Sequence, residues 1–366
     1  MLNQALQKLG VFSRPPTEGS YTDLETIAPP GALRTLLPAQ QVPTPEAAEM
    51  PLNAFSEHLR QPIYVAPEVR SALLSGVRYC PTNHCLVDAH GAVLRESTGP
   101  GARRVGLNHR ALHRPTTPID GVATSLRCHF NDFYHFLIDN LSRFDLLNLE
   151  YFRSFPSIAL LCPGGLTKLE AFFVEKLLPA NVSVLDVSPG TLYAPDQFLF
   201  NTFITSQSSG YLRGPFVERL QKRLSPGRAP LRTERIYVSR RRASKGRRIH
   251  NEDALMDRLR LFGFRRYVLE DLPITEQIAL FQRADMVVAP HGAGLSNILF
   301  SRQATVLELF ASGYVVPHYY LLAKSLGHRY NFLLGPADHH DDNFLVDIEA
   351  LTHHVRALAM DLTPSL

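Results

Sequence analysis

Residues 285–297 read Asp285-Met-Val-Val-Ala-Pro-His-Gly-Ala-Gly-Leu-Ser-Asn297. An apolar run of strand length is followed by a Gly-rich turn and the start of a helix. Such a turn leaves backbone N–H groups unpaired at a helix N-terminus, where they attract phosphate. Upstream lies a second strand, Arg235-Ile-Tyr-Val-Ser239, which runs straight into Arg240, Arg241, Arg242, Lys245, Arg247 and Arg248. One element offers oriented amides and the other offers cations. Together they predict a nucleotide-diphosphate site between two strand ends of one α/β domain.

The strand–helix alternation continues on both sides. Strands at 235–239, 265–269, 285–289, 305–310 and 329–334 alternate with helices at 252–262, 274–283, 293–300 and 317–326. That rhythm predicts a parallel sheet, whose ligands bind at the carboxyl ends of the strands. Earlier in the chain a helix spans 131–149, with Asn131 as its N-cap. It is followed by strands at 158–162, 182–185 and 198–200 and by helices at 166–178 and 214–224. Residues 76–94 read as a hairpin region. Residues 1–60, punctuated by Pro15-Pro16, Pro29-Pro30 and the stretch from Pro43 to Pro51, read as an extended arm with one short N-terminal helix. A linker is expected over 216–230, and residues 346–366 hold a last helix packing back across the cleft.

Composition narrows the class. A chain of 366 residues has room for two domains, and 45% hydrophobic content suffices for a core in each. The formal charge of +4 suits an anionic substrate and is too mild to argue nucleic acid. No apolar run reaches the length of a membrane span, and the first residues lack a signal-peptide pattern, so a cytoplasmic chain is expected. Cys80, Cys85, Cys128 and Cys162 make no disulfide framework and are expected as free thiols.

Several residue sets could carry chemistry. Asp132, His135, Asp139 and Arg143 fall at helical spacing on one polar stripe. A carboxylate–imidazole pair there could take a proton from a hydroxyl; the alternative is a solvated i,i+4 pair. The cations of Arg240–Arg248 read as a solvated loop, a nucleic-acid patch or a diphosphate clamp. Their place just after a strand favours the clamp, and no aromatic interleaves them for base stacking. His291 either faces a phosphate or caps the turn. Glu308, inside the apolar strand Val306-Leu-Glu-Leu-Phe310, needs a partner, and a ribose hydroxyl pair or an arginine would serve. Gly292-Ala-Gly294 lacks the third glycine of a dinucleotide fingerprint, so a nicotinamide dehydrogenase is not expected. His339-His340-Asp341-Asp342 and His353-His354 have no recurring ligand spacing. There is also no Asp-x-Asp, which argues against a diphosphate held through a metal.

Four segments in this order resemble glycosyltransferase family 61. They are Asn131-Asp-Phe-Tyr-His-Phe-Leu-Ile-Asp139, Arg235-Ile-Tyr-Val-Ser-Arg240, Arg247-Arg-Ile-His-Asn-Glu252, and Pro290-His-Gly-Ala-Gly-Leu-Ser-Asn297 with Val306–Phe310. The resemblance implies a GT-B fold, two Rossmann-like domains facing across a cleft. It places the acceptor-side domain at 61–215 and the nucleotide-sugar domain at 231–345. It implies inverting, metal-independent transfer from a UDP-sugar to a glycan or lipid-linked glycan, with no cofactor. Asp139 or His135 is then the base, with Asp139 slightly preferred. Ser239, Arg240, Arg241, Arg247, His291, Gly292, Ala293, Gly294, Asn297 and Glu308 form the donor site. The resemblance further implies a bacterial cytoplasmic branch serving surface polysaccharide, with peripheral association at the inner membrane face. The rival class is a nucleic-acid-binding protein using the Arg240–Arg248 loop.

Overall fold

The computed structural model describes residues 21–46, 61–99, 106–128, 130–206, 210–224, 231–243, 246–338 and 342–360. Most of the expected Pro-rich arm (1–20 and 47–60), the linker stretch 225–230, Lys245 and His339–Asp341 lie outside them. The chain divides into two compact units, one of residues 1–41 and 65–207, the other of 42–64 and 208–366.

The first unit holds a mixed sheet, ten-stranded among the described residues. Its antiparallel part uses β2 (Arg34–Leu37), β5 (Val69–Leu74), β6 (Arg78–Cys80), β7 (Cys85–Val87) and β8 (Val93–Leu94), and β1 (Tyr21–Thr22) joins β8 in parallel. The parallel part has the order β12 (Leu192–Asn201), β9 (Thr116–Ser125), β10 (Ile158–Pro163), β11 (Val182–Val187). Between β2 and β5 in the chain, β3 (Gln40–Pro43) and β4 (Ile63–Ala66) form a separate two-stranded sheet. Ile158, Leu160, Leu161 and Cys162 are all fully buried, as a parallel strand covered on both faces requires. Tyr79, Leu161, Phe198 and Phe200 anchor the core. This unit is therefore not a purely parallel Rossmann-like sheet. Residues 21–37 are also not an extended arm, because β1 pairs with β8 and β2 with β5. The four cysteines are free and buried.

The second unit is a five-stranded parallel sheet of order β14-β13-β15-β16-β17. Its strands are β13 (Glu234–Val238), β14 (Phe264–Tyr267), β15 (Ala284–Pro290), β16 (Thr305–Ala311) and β17 (Arg329–Gly335). Strand order reverses between β13 and β15, which opens a crevice at their carboxyl ends. The described α-helices of eight or more residues are α1 (Lys168–Leu177), in the first unit, and α2 (Phe216–Leu224), α3 (Glu252–Arg260), α4 (Ile274–Gln282), α5 (His318–Ser325) and α6 (Ile348–Met360), in the second. Helix α2 occupies the start of the expected linker. The last helix, α6, buries Leu351, Val355 and Leu358 in the second unit's core with Leu255 and Leu259 of α3. Residues 293–300 form a 3₁₀ helix rather than an α-helix.

Candidate functional site

The second unit's crevice is built by its two flanking strand ends. Beyond β13, the side chain of Arg240 turns back over the end of β15. A Cβ on Gly292 would collide with the Arg240 Nη1 atom, so glycine there is what lets the guanidinium lie against the turn. Gly294 is closely packed, and a Cβ would sit 3.1 Å from Val238 and 3.2 Å from Leu269. Arg240 Nη2 donates to the Gly246 carbonyl at 3.2 Å. Burial, with Arg247 and Arg248 adding repulsion, pushes the Arg240 guanidinium down to about 10. A cation held in such a place is poised for an anion. Arg247 reaches the same crevice with a left-handed φ of 62°, its guanidinium 5.0 Å from the Tyr314 ring centroid. A cavity of about 220 Å³ adjoins, lined by Arg240, Arg241, Arg248 and His250 among others.

The other expected donor-site residues divide by what they touch. Arg241 is occupied, its guanidinium bonding Glu252 at 3.0 Å and Asp253 at 3.1 Å. Arg242 is likewise paired, with Asp271. Ser239 is buried and accepts from the Arg241 amide. Asn297 ties the turn to α4 through Gln277 at 3.1 Å and bonds the Gly294 carbonyl at 3.0 Å. Ala293 opens the 3₁₀ turn. The structure thus brings Arg240, Arg247, His291 and Gly292 to one crevice, while Arg241, Ser239 and Asn297 hold its walls.

Glu308 has a different partner from those expected. It is fully buried; Oε1 lies 2.6 Å from His291 Nδ1, and Oε2 accepts from the Tyr330 hydroxyl at 2.6 Å. His291 is stacked on Phe310 with centroids 5.3 Å apart. Burial raises the Glu308 carboxyl well above 4.5. Burial, with repulsion from Arg247 and Arg240, lowers the His291 imidazole well below 6.5. The folded pair therefore holds one proton and no net charge.

A pH dependence follows from that proton. The raised Glu308 contributes stability that is full below pH 4.5 and falls as pH rises above it. The lowered His291 contributes the opposite slope, losing stability as pH falls below 6.5. Between these values the two slopes cancel. The pair's contribution should be flat from 4.5 to 6.5 and drop on either side by up to about 1.4 kcal/mol per pH unit. Urea unfolding from pH 4 to 8.5 checks this against Glu308→Gln, which should lose the alkaline decline. An identical alkaline slope in both proteins would mean that Glu308 is ionised in the fold.

The first unit presents the imidazole–carboxylate pair on a composite helix. Phe133–His135 is α-helical, Phe136–Asn140 is a π-helical turn, and Leu141–Asp145 returns to α. Single π turns recur at functional sites. Asp132, rather than Asn131, supplies the N-cap by accepting the His135 amide at 3.2 Å. Asn131 instead joins Asn140 at 2.8 Å to Glu170 at 3.1 Å. Glu170 forms a buried two-bond ion pair with Arg127. Burial pushes that carboxyl up, but bonds from Arg127 and Thr167 outweigh it and hold it at about 2.

Asp139 is only 2% exposed, which excludes a solvated surface pair. Its Oδ2 lies 2.6 Å from His135 Nδ1, and its Oδ1 accepts from the Thr205 hydroxyl. The His135 side chain is 27% exposed and stacks against Phe130 at 5.1 Å. Arg143 does not continue a solvated stripe. It is buried, donates to the carbonyls of Ser125, Leu126 and Arg127, and packs over Phe203. Thr205 and Tyr330 are the two partners that sequence reading missed. Thr205 has no local signal, and Tyr330 is reached only diagonally, since the register sets Phe332 opposite Glu308 and Tyr330 opposite Val306.

Among the described residues, no cluster of His, Cys, Asp and Glu could hold a metal ion. None of the described helices is long and apolar enough to cross a membrane. The EGF domain-specific O-linked N-acetylglucosamine transferase of Drosophila melanogaster is 31% identical over 203 residues. That similarity covers 49% of this chain and 38% of the fly protein's length. Residues 133–307, which hold the His135–Asp139 pair, Arg240 and the Gly-rich turn, match the family model described as Glycosyltransferase 61, and this relates the stretch to glycosyltransferases.

Proposed function

We propose that the chain is an inverting glycosyltransferase that moves a sugar from a UDP-sugar to a hydroxyl of a glycan acceptor without a metal. The observation that carries this reading is Arg240 lying against Gly292 at the strand-order reversal, with Arg247 beside it. Cations and amides so placed would stabilise charge developing on a leaving diphosphate.

In this reading His135 is the base and Asp139 a positioning residue, reversing the preference drawn from sequence. Asp139 is buried with both oxygens occupied, while the imidazole is the partly exposed member. A carboxylate on Nδ1 orients the ring so that Nε2 can accept the acceptor's proton. As that O–H bond breaks, the oxygen attacks the anomeric carbon and the sugar–phosphate bond breaks in line. The donor unit and the acceptor unit are then the two halves of a GT-B enzyme. Surface polysaccharide on the cytoplasmic side of a bacterial membrane is the setting we assign, with a lipid-linked glycan as one acceptor form.

A nucleic-acid role is disfavoured because Arg241 and Arg242 are spent on carboxylates of their own unit. Calorimetry with UDP in EDTA is the test. Saturable binding is expected, and binding that appears only after Mg²⁺ or Mn²⁺ is added would overturn the metal-free part. Sequence-independent nucleic-acid binding with no UDP binding would overturn the whole reading.

A further inference from the structure

A second cavity of about 450 Å³ lies in the second unit between α5 and the first half of β17. The volume falls within the roughly 300–1,000 Å³ of small-molecule sites. It sits on Tyr330–Phe332, near the amino end of β17, whereas the donor crevice follows the carboxyl ends of β13 and β15.

The lining mixes donors, acceptors and aromatic rings. His328 is 8% exposed, and its Nε2 donates to the Ile298 carbonyl at 2.9 Å. That bond fixes Nδ1 as an acceptor, and it is buried without a partner among the described residues. Asn331 has its oxygen taken by the Phe332 amide at 2.7 Å, so its NH₂ group is the donor it offers. Lys324 and Glu46 are already paired at 3.3 Å, which leaves the lining without net charge. The Tyr330 hydroxyl is committed to Glu308, so this residue contributes its ring. The rings of Tyr320 and Tyr330 meet at 72°, so they form no parallel slot for a flat base.

A neutral lining disfavours phosphate and carboxylate ligands, and crossed rings disfavour a nucleobase. A pyranose ring answers both halves of the lining. Its C–H face packs on an aromatic ring, and its hydroxyls accept from the Asn331 amide and the Lys324 ammonium and donate to the Glu46 carboxylate, all three on the cavity lining. We infer that this cavity binds a neutral sugar unit, a glycan subsite separate from the donor crevice.

The inference goes beyond the transfer reaction and is tested apart from it. The full chain, without donor, is titrated by saturation-transfer NMR with the methyl glycosides of glucose, galactose, mannose and N-acetylglucosamine. At least one should bind. Asn331→Leu and Lys324→Met should each weaken that binding about tenfold, the scale of one lost hydrogen bond, with UDP affinity unchanged. The inference is overturned when no glycoside binds, when both variants bind as wild type, or when methyl glucuronide binds more tightly than every neutral probe. Displacement of the bound glycoside by UDP would also overturn it, by placing the sugar in the donor crevice. If UDP still binds and sugar is still transferred, only this subsite falls and the proposed activity stands.

Discussion

His135→Ala is expected to lower kcat for sugar transfer by about 10²–10⁴-fold, the usual contribution of a positioned base, while UDP binds as before. The magnitude rests on burial. A solvated i,i+4 pair would contribute only a few tenths of a kcal/mol to the helix and nothing to rate. Here Asp139 is a buried member of the π-helical turn, with Thr205 on one oxygen and His135 on the other. A carboxylate so enclosed has little left to offer a substrate, but it can set the tautomer and direction of the imidazole. Asp139→Asn should therefore lower kcat as well, with the donor KM unchanged, because the imidazole loses the group that steers it while the donor crevice is untouched. A residue that only supports the fold would lower the melting temperature and leave kcat of the folded protein unchanged. Single-turnover transfer beside a melting curve decides the matter. Near wild-type rates in both variants, with lowered melting temperatures, would reduce the pair to a buried structural contact.

The parts of this arrangement that were readable in advance share a cause. Strands of a parallel sheet are covered on both faces, so Met286–Pro290 of β15 appears as a continuous apolar run, Ile236–Val238 of β13 as a shorter one, and β16 as one broken only by Glu308. Glycines stand where a side chain would strike Arg240 or Val238, and a Gly-x-Gly after a strand already marks such a turn. The unread parts depend on pairing across distance. Strand β1 has two residues and β2 four, too short for any periodicity, and their order comes from docking on β8 and β5. Asn131 and Asp132 are both good caps, and only the fold shows that one caps while the other binds Glu170. Glu308 looked like an isolated acid because its partners come from the end of β15 and from β17. Arg241 looked equivalent to Arg240 until α3 placed Glu252 and Asp253 against it. Adjacent residues leaving a strand point to opposite sides, so one arginine faces the crevice and its neighbour faces the helix.

That division sets the second large expected effect. Arg240→Ala should weaken UDP binding about 10–100-fold, because a charge-assisted hydrogen bond to phosphate is worth roughly 1.5–3 kcal/mol. Arg240→Lys should recover only part of this, since an ammonium cannot reproduce the planar fork. Arg241→Ala should leave UDP affinity unchanged, as its guanidinium is already committed to Glu252 and Asp253. The ligand-free protein should respond in the opposite sense. Burial and two neighbouring arginines make the Arg240 charge unfavourable when no anion is present. Removing it should leave the melting temperature of the empty protein unchanged or higher, while the rise produced by UDP shrinks. A purely structural arginine would lower the empty protein's melting temperature and leave the UDP-induced rise intact. Calorimetry and thermal unfolding with and without UDP, on these three variants and the wild type, separate the two. Equal UDP affinity in Arg240→Ala and wild type would place the guanidinium outside the phosphate site, and with it would go the observation on which the donor crevice rests.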